Sequence, residues 1–575
     1  LTEWHVSIDL QQATALGPID RDGAHRLLLE GDWHPESTRS TDTSLDRVID
    51  GNFDFIDAYA DRLASEVERA TPDLFPTAGS LAGRSLRYYL VKLIRPIVFF
   101  TAGRQLRPLD RVTFYPGDQS SDYASVLQAV TQSLGGIYHE TSQSTQQDDV
   151  SQLAALPCNR WWRRVAGRLA SLIDRSGNLR ERDSQPLVMF HGNPARLGPI
   201  AKQLVEADVT ATAWLVDRFA VRQYLYDRPL GPQLICDASL GRANHIPPVE
   251  IPELLVGDVD ISQPVARFLE ARRQQHGRRW TRLIERTEAY LKRHRPEVLV
   301  LDEDITPDGR ATATVARRLS IPSVVVQHGV PCSRFGFLPL TADRFLAQDT
   351  ASADRMTEWG LDAQRILVAG DPDRQTRAIL SLIDPSFTFK ATNDPPQCIS
   401  NQTIAAGTDT SLGPRILLLL TRPPNDNRPD AVSLHLTGST YRTMLAESFK
   451  AARRLRASAV FVRPHPRSDN DPALDELVAR FADLPIQMAT DGSAGSYFDR
   501  VDCAISCGST AGIEASRASL PVVQIVPPTS SSFPSAKSYR LSGTAHDADQ
   551  IVSILTGETE SAAPRPNIST TTSTN

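Results

Sequence analysis

Residues 501–525 read VDCAISCGSTAGIEASRASLPVVQI. The stretch opens on a short apolar run with the composition of a buried strand. It passes through a turn of small residues, Cys507-Gly508-Ser509-Thr510-Ala511-Gly512, and enters a helix that carries Glu514 near its start. A second apolar strand follows from Leu520 to Val526. This is a β-turn-α-β unit, so the turn lies at the C-terminal end of a parallel strand, where open α/β sheets bind ligands. Glycine admits a ligand close to the backbone, hydroxyls donate, and the free N–H groups of a helix N-terminus favour an anion. Such a turn suits a phosphate or diphosphate. Ser509 or Thr510 capping the helix without any ligand is the plainer alternative, and for Glu514 the plainer role is a favourable charge near the positive end of the helix dipole.

Working outward, two more β-branched runs end on polar residues. Val460-Phe461-Val462 leads into Arg463-Pro464-His465-Pro466-Arg467, and Ser323-Val324-Val325-Val326 leads into Gln327-His328-Gly329. Prolines on both sides restrict the backbone of His465. His465 and Arg463 are read as donors to a phosphate, because charge-assisted bonds to phosphate are the strong kind; a histidine that simply caps a loop is the alternative. A neutral imidazole at His328 can take the proton of an attacking hydroxyl; a turn histidine with no chemical role is the alternative. The strand Glu297–Leu301 ends in Asp302-Glu303-Asp304, and Asp302 and Asp304 compete with His328 as the base. These acids could instead order the helix behind them.

These motifs in this order resemble those of bacterial and archaeal surface-polysaccharide glycosyltransferases of the GT-B fold: the polysialyltransferase, capsular Kdo-transferase and CDP-glycerol glycerophosphotransferase families. The matching residues are His328-Gly329, His465-Pro466, and Ser509-Thr510 with Glu514, and the resemblance spans roughly residues 290–555. It implies an α/β, GT-B-like fold: two Rossmann-type parallel-sheet domains facing a cleft, here with an N-terminal extension. It also implies that His465, Arg463, Ser509 and Thr510 bind the donor phosphate, and that Glu514 holds ribose or donor-sugar hydroxyls. The chain departs from the acidic (Asp/Glu)-(Asp/Glu)-Gly motif of sialyltransferase-like relatives, since Gly309 comes only after Pro307-Asp308. That departure leaves the base open between His328 and the 302–304 cluster.

At 575 residues the chain is too long for one core. An apolar fraction of 41%, a charged fraction of 23% and a net charge of -6 are ordinary for a globular protein and give no pull toward nucleic acid. Six cysteines without metal-ligand spacing fit a reducing compartment. No run of about 18 apolar residues occurs and no signal-peptide pattern opens the chain. The expectation is a cytoplasmic protein, with a peripheral contact at the inner face of the membrane as a further expectation. That contact is assigned to residues 84–107, where apolar and aromatic residues alternate with six Arg/Lys. A core helix and strand with solvated arginines is the alternative, and Pro96 is expected to interrupt any helix.

The expected domains are a mostly helical N-terminal extension (1–110), a Rossmann-like acceptor domain (111–384), a linker (385–413), a Rossmann-like nucleotide-donor domain (414–555) and a disordered tail (556–575). Residues 263–295 read as an arginine-rich helix or helix pair, interrupted near Gly277. The function expected is transfer of a sugar or polyol phosphate from a nucleotide-activated donor to a surface-polysaccharide or lipid-linked glycan acceptor, with inversion and no obligatory metal. The alternatives are a UDP-N-acetylglucosamine 2-epimerase-like isomerase and a non-catalytic nucleotide-sugar-binding subunit.

Overall fold

The computed structural model describes residues 2–7, 24–29, 42–44, 53–69, 78–102, 108, 110–115, 121–141, 186–206, 211–217, 233–236, 251–331, 334–370, 372–384, 413–423, 438–465, 471–526 and 541–557. The chain divides into two compact units, Leu1–Asp394 with Asp426–His435, and Pro395–Asn425 with Leu436–Asn575. The expected linker, apart from Gly413, and the expected tail, apart from Thr556 and Gly557, lie outside the described residues.

The first unit holds two parallel sheets. The first is built from β1 (Glu3–Ser7), β2 (Ala24–Leu28) and β3 (Asp42–Ser44), then helices α1 (Phe53–Arg69) and α2 (Ala78–Ala102), then β4 (Arg111–Tyr115), α3 (Ser121–Ser133) and β5 (Ile137–Glu140). Its strand order is β3-β2-β1-β4-β5. This corrects the expected domain boundary. The strand at 111–115 does not open the next domain; it pairs with β1, Glu3 opposite Arg111, and residues 1–110 supply three strands as well as helices. The strands escaped notice because EWHVS and AHRLL contain no unbroken apolar run.

Residues 84–102 lie in helix α2, where the apolar face expected to meet a membrane is buried; residues 103–107 lie outside the described residues. Tyr88, Leu90, Ile94, Ile97 and Phe100 are buried, and so are Arg87 and Arg95. The face that looked suited to lipid belongs to the core of the first sheet, with Trp4, Val6, Leu63 and Phe114. The helix also runs through Pro96; its break falls at Gly83, where φ is 31°. One missing N–H costs less here than exposing an apolar face that burial on folding removes from water.

The second sheet is larger. Its elements are β6 (Leu187–His191), α4 (Pro194–Glu206), β7 (Ala211–Asp217), β8 (Gln233–Cys236), a small antiparallel hairpin β9 (Leu255–Val256) and β10 (Val259–Asp260), and α5 (Ser262–His294). Then come β11 (Val298–Leu301), α6 (Pro307–Arg318), β12 (Ser323–Val326), β13 (Arg344–Ala347), α7 (Thr350–Glu358), β14 (Ile366–Val368) and α8 (Pro372–Ile383). The order is β14-β13-β12-β11-β6-β7-β8, and every pairing is parallel. The strands VLVL and SVVV are buried along their whole length, as a sheet covered on both faces requires. Helix α5 runs unbroken for 33 residues, without the expected interruption near Gly277. Trp280, Leu283, Ile284 and Leu291 bury one side of it. Its last turn carries Lys292, Arg293 and His294, which complement the helix dipole.

The second unit is one parallel sheet: β15 (Arg415–Leu419), α9 (Gly438–Arg454), β16 (Ala459–Arg463), α10 (Pro472–Arg480), β17 (Ile486–Met488), β18 (Cys503–Ser506), α11 (Thr510–Arg517), β19 (Val522–Ile525), β20 (Gly543–Ala545) and α12 (Ala548–Thr556). Its order is β17-β16-β15-β18-β19-β20. The chain is thus an α/β protein whose two units each carry a Rossmann-type parallel sheet, together with a further N-terminal sheet.

Candidate functional site

In a parallel sheet all C-terminal strand ends share one edge, and the crevice opens where the chain winds outward in both directions. In the second sheet of the first unit that point lies between β6 and β11, with Leu301 opposite His191. Asp302 follows β11 directly and is 6% exposed. Its Oδ2 accepts from the Asn193 amide at 2.8 Å and lies 3.5 Å from Arg196 Nη1. Gly192 makes this possible. It sits at φ 138°, and a Cβ there would fall 2.0 Å from Asp302 Oδ1. His191 completes the group, its Nδ1 3.1 Å from the Leu215 carbonyl oxygen.

His328 lies at the end of β12, the strand beside β11. It is half-buried and stacks on Phe337, with ring centroids 4.7 Å apart and planes 18° from parallel. Gln327 fixes the turn that carries it. The Gln327 amide nitrogen donates to the Gly329 carbonyl at 2.6 Å and to Ser352 Oγ at 2.9 Å. Its oxygen accepts from the Gln348 amide at 2.8 Å. Asp302 and His328 therefore lie at one sheet edge, one strand apart.

Asp304 does not belong with them. It is 2% exposed, and its Oδ2 accepts from the backbone amides of Thr341 and Ala342. Burial raises its carboxyl above the ordinary range, opposed by those two amides and by Arg310 and Arg365. Asp304 anchors the chain entering β13 and is not at the edge that Asp302 and His328 share.

In the second unit the winding reverses between β15 and β18. Leu419 lies opposite Ser506 on one side and Arg463 on the other. The turn after β18 is tied by Ser506, whose Oγ accepts from the Ser509 amide and donates to the Ser509 carbonyl, both at 3.2 Å. Ser509 is the N-cap residue of α11, yet its hydroxyl makes no capping bond. Thr510 is the first residue of that helix. Glu514 reaches solvent, although the protein around it raises its carboxyl above the usual range, against the pull of Arg517. The thiols of Cys503 and Cys507 are buried and pushed up to about 12 by that burial, with Asp502 adding to the effect at Cys503, so neither is a ready nucleophile.

His465 is half-buried two residues beyond β16, at the same edge as the Ser509 turn. Arg463 is used otherwise. Its Nη1 donates to the Ala489 carbonyl at 2.5 Å and its Nη2 to the Gly492 carbonyl at 2.5 Å. The guanidinium braces the segment after β17. Between the two turns the chain leaves β15 through Thr421 and Arg422, both half-buried. Arg422 is a cation at this edge that the motif reading did not single out. The signal was the polar step Thr421-Arg422 after the run Ile416–Leu420, which registered only as a strand.

Among the described residues no group of three or more His, Cys, Asp and Glu is placed to hold a metal ion. Among the same residues no helix is long and apolar enough to cross a membrane.

No protein-family model and no curated protein matches the chain. Solved structures resemble it at low identity. UDP-GlcNAc 2-epimerase from Methanocaldococcus jannaschii is 14% identical, with a TM-score of 0.33 over 59% of this chain and 83% of that one. Acinetobacter baumannii MurG is 12% identical, with a TM-score of 0.34 over 65% and 90%. The lipopolysaccharide outer core galactosyltransferase WaaB is 9% identical, with a TM-score of 0.38 over 65% and 91%.

Proposed function

We propose that this protein is a GT-B-type glycosyltransferase that moves a sugar or polyol phosphate from a nucleotide-activated donor to a surface-polysaccharide or lipid-linked glycan acceptor. One observation carries the reading. At the winding reversal of the second unit, an uncommitted Ser509 hydroxyl at a helix N-terminus shares its sheet edge with His465 and Arg422. Two hydrogen-bonding or cationic side chains and a helix N-terminus converging on one edge suit a nucleotide phosphate. Glu514 is the candidate for sugar or ribose hydroxyls.

In this reading the first unit supplies the base. His328 takes the proton of the acceptor hydroxyl as its oxygen bonds to the donor's electrophilic centre. The bond from that centre to the nucleotide phosphate breaks, and the released negative charge is met by His465, Arg422 and the start of α11. For glycosyl transfer a single displacement inverts the anomeric carbon. Asp302 is the alternative base. No obligatory metal, no nucleic acid and a cytoplasmic site of action belong to the same proposal.

Two measurements test it. A thermal-shift screen with CMP, CDP, UDP, GDP and dTDP is expected to select one base, because a ligand that binds only the folded state raises the apparent stability. No stabilisation by any of the five counts against a donor site. With the selected nucleotide, His465→Ala and Arg422→Ala are each expected to weaken binding by roughly 1.5–3 kcal/mol, the worth of a hydrogen bond to a charged group. Arg463→Ala should instead lower the unfolding temperature and leave nucleotide affinity unchanged. Unaltered calorimetric affinity in His465→Ala would remove the phosphate role. Incubation with labelled donor then separates transfer from isomerisation without an acceptor and from no turnover.

A further inference from the structure

We propose that the N-terminal sheet and its helices act as a positioning device for His328, through a strap formed by Arg334–Phe337. The inference rests on the reading of His328 as the base. The strap touches both ends of this connection. Arg334 Nη2 lies 2.6 Å from Asp61 Oδ2 on α1. Phe335 is fully buried in the core of the first sheet and meets Tyr88 of α2 edge-on at 5.9 Å. Two residues later, Phe337 stacks on His328 and packs edge-on against Phe345 of β13 at 6.0 Å.

The strap is a closed turn. The Arg334 carbonyl accepts from the amides of Phe337 and Leu338 at 3.0 and 2.7 Å. Two residues of chain span at most about 7 Å, so the placement of Phe337 over His328 is tied to that of Phe335. The anchor on the other side is equally tied. Asp61 is shared between Arg334 and Arg87, and Glu68 is shared between Arg87 and Arg310. Arg310 belongs to α6, the helix that follows Asp302–Asp304. A Cβ at Gly83, the break in α2, would come within 3.0 Å of its guanidinium. The N-terminal helices thus grip the second sheet just behind its functional edge. A stacked imidazole loses its freedom to rotate, and a well-placed base is worth more than a mobile one. Arg334 and Phe335 are positioning residues in this scheme.

The test uses the full chain with histidine labelled at the ring Cε1. Of the twelve histidines, His328 is assigned by its loss in His328→Gln. Stacking places its ring protons in the shielding region of Phe337, so Phe337→Leu should move the resonance downfield. Arg334→Gln and Phe335→Leu are expected to move it the same way, with the other histidine signals retained as evidence of folding, and Arg334→Lys should restore it. With the selected donor, Arg334→Gln should lower turnover about tenfold or more at unchanged nucleotide affinity. A His328 resonance that stays in place in both variants overturns the proposal; one that moves without loss of turnover upholds the positioning and removes His328 as the base. The resonance needs no substrate, so it is read independently of whether His328 is the base.

Discussion

Replacing His328 by alanine is expected to lower turnover by about 10²- to 10⁴-fold, the usual span for a general base. Nucleotide affinity should not change. His328 belongs to the first unit, whereas His465, Arg422 and the Ser509 turn belong to the second. A loss confined to turnover at constant donor binding marks an interaction made in the transition state. Asp302→Asn is the necessary companion. Asp302 is committed to the Asn193 amide and Arg196, so its replacement should disturb the His191–Asn193 turn and cost less in rate. If Asp302→Asn abolishes turnover and His328→Ala does not, the base is the carboxylate, and His328 is a turn residue stacked on Phe337.

The second large effect concerns stability. Arg87 is fully buried and lies 2.7 Å from Asp61 and 2.9 Å from Glu68. Arg87→Met should destabilise the first unit by about 1.5–3 kcal/mol, the worth of a hydrogen bond to a charged group, because Asp61 then keeps only Arg334 and Glu68 only Arg310. Urea unfolding of the two proteins measures this as a drop in midpoint. The pH dependence carries the same signature. Burial is the largest single influence on both carboxyls and would raise them. Arg87 with Arg334 outweighs it at Asp61, and Arg87 with Arg310 outweighs it at Glu68, so both are held below the ordinary range. A carboxyl lowered by folding adds stability that is complete above its unfolded pKa, about 4. That stability is lost as pH falls through the folded value. The wild type should therefore lose stability from about pH 4 downward, and Arg87→Met should lose less over the same window. Parallel acid profiles for the two proteins would show that the pairing carries no net stability.

What the amino-acid sequence reveals follows from how each residue finds its partners. Strands β11, β12, β15, β18 and β19 are apolar runs closed by polar turns, and the sheets of residues 297–525 could be read directly from them. Strands β1 and β2 are too short and too mixed to show a period, and their sheet stayed hidden. The chemical character of the edges was legible, but the use of individual side chains was not. Arg463 looks like a phosphate ligand until the carbonyls of Ala489 and Gly492 appear beside it. Asp304 looks like a base until Thr341 and Ala342 close over it. Arg87 reads as one cation of a membrane-facing series because Asp61 and Glu68 come from another helix. Gly192 and Asn193 had no visible link to Asp302, 109 residues further along the chain from Asn193.

The core of the N-terminal sheet is not made from N-terminal residues alone. Alongside Trp4, Leu63 and Val130 it contains Leu254, Val256, Ile261, Val265 and Leu269, and finally Phe335. During synthesis this core cannot close when its own strands have emerged from the ribosome. From Val130 to Phe335 about 200 further residues must be added, which at about 5–20 residues per second takes roughly 10–40 s. Throughout that interval the nascent chain carries a nearly complete apolar cluster with an open side. A truncation placed before residue 254 would leave that side open permanently.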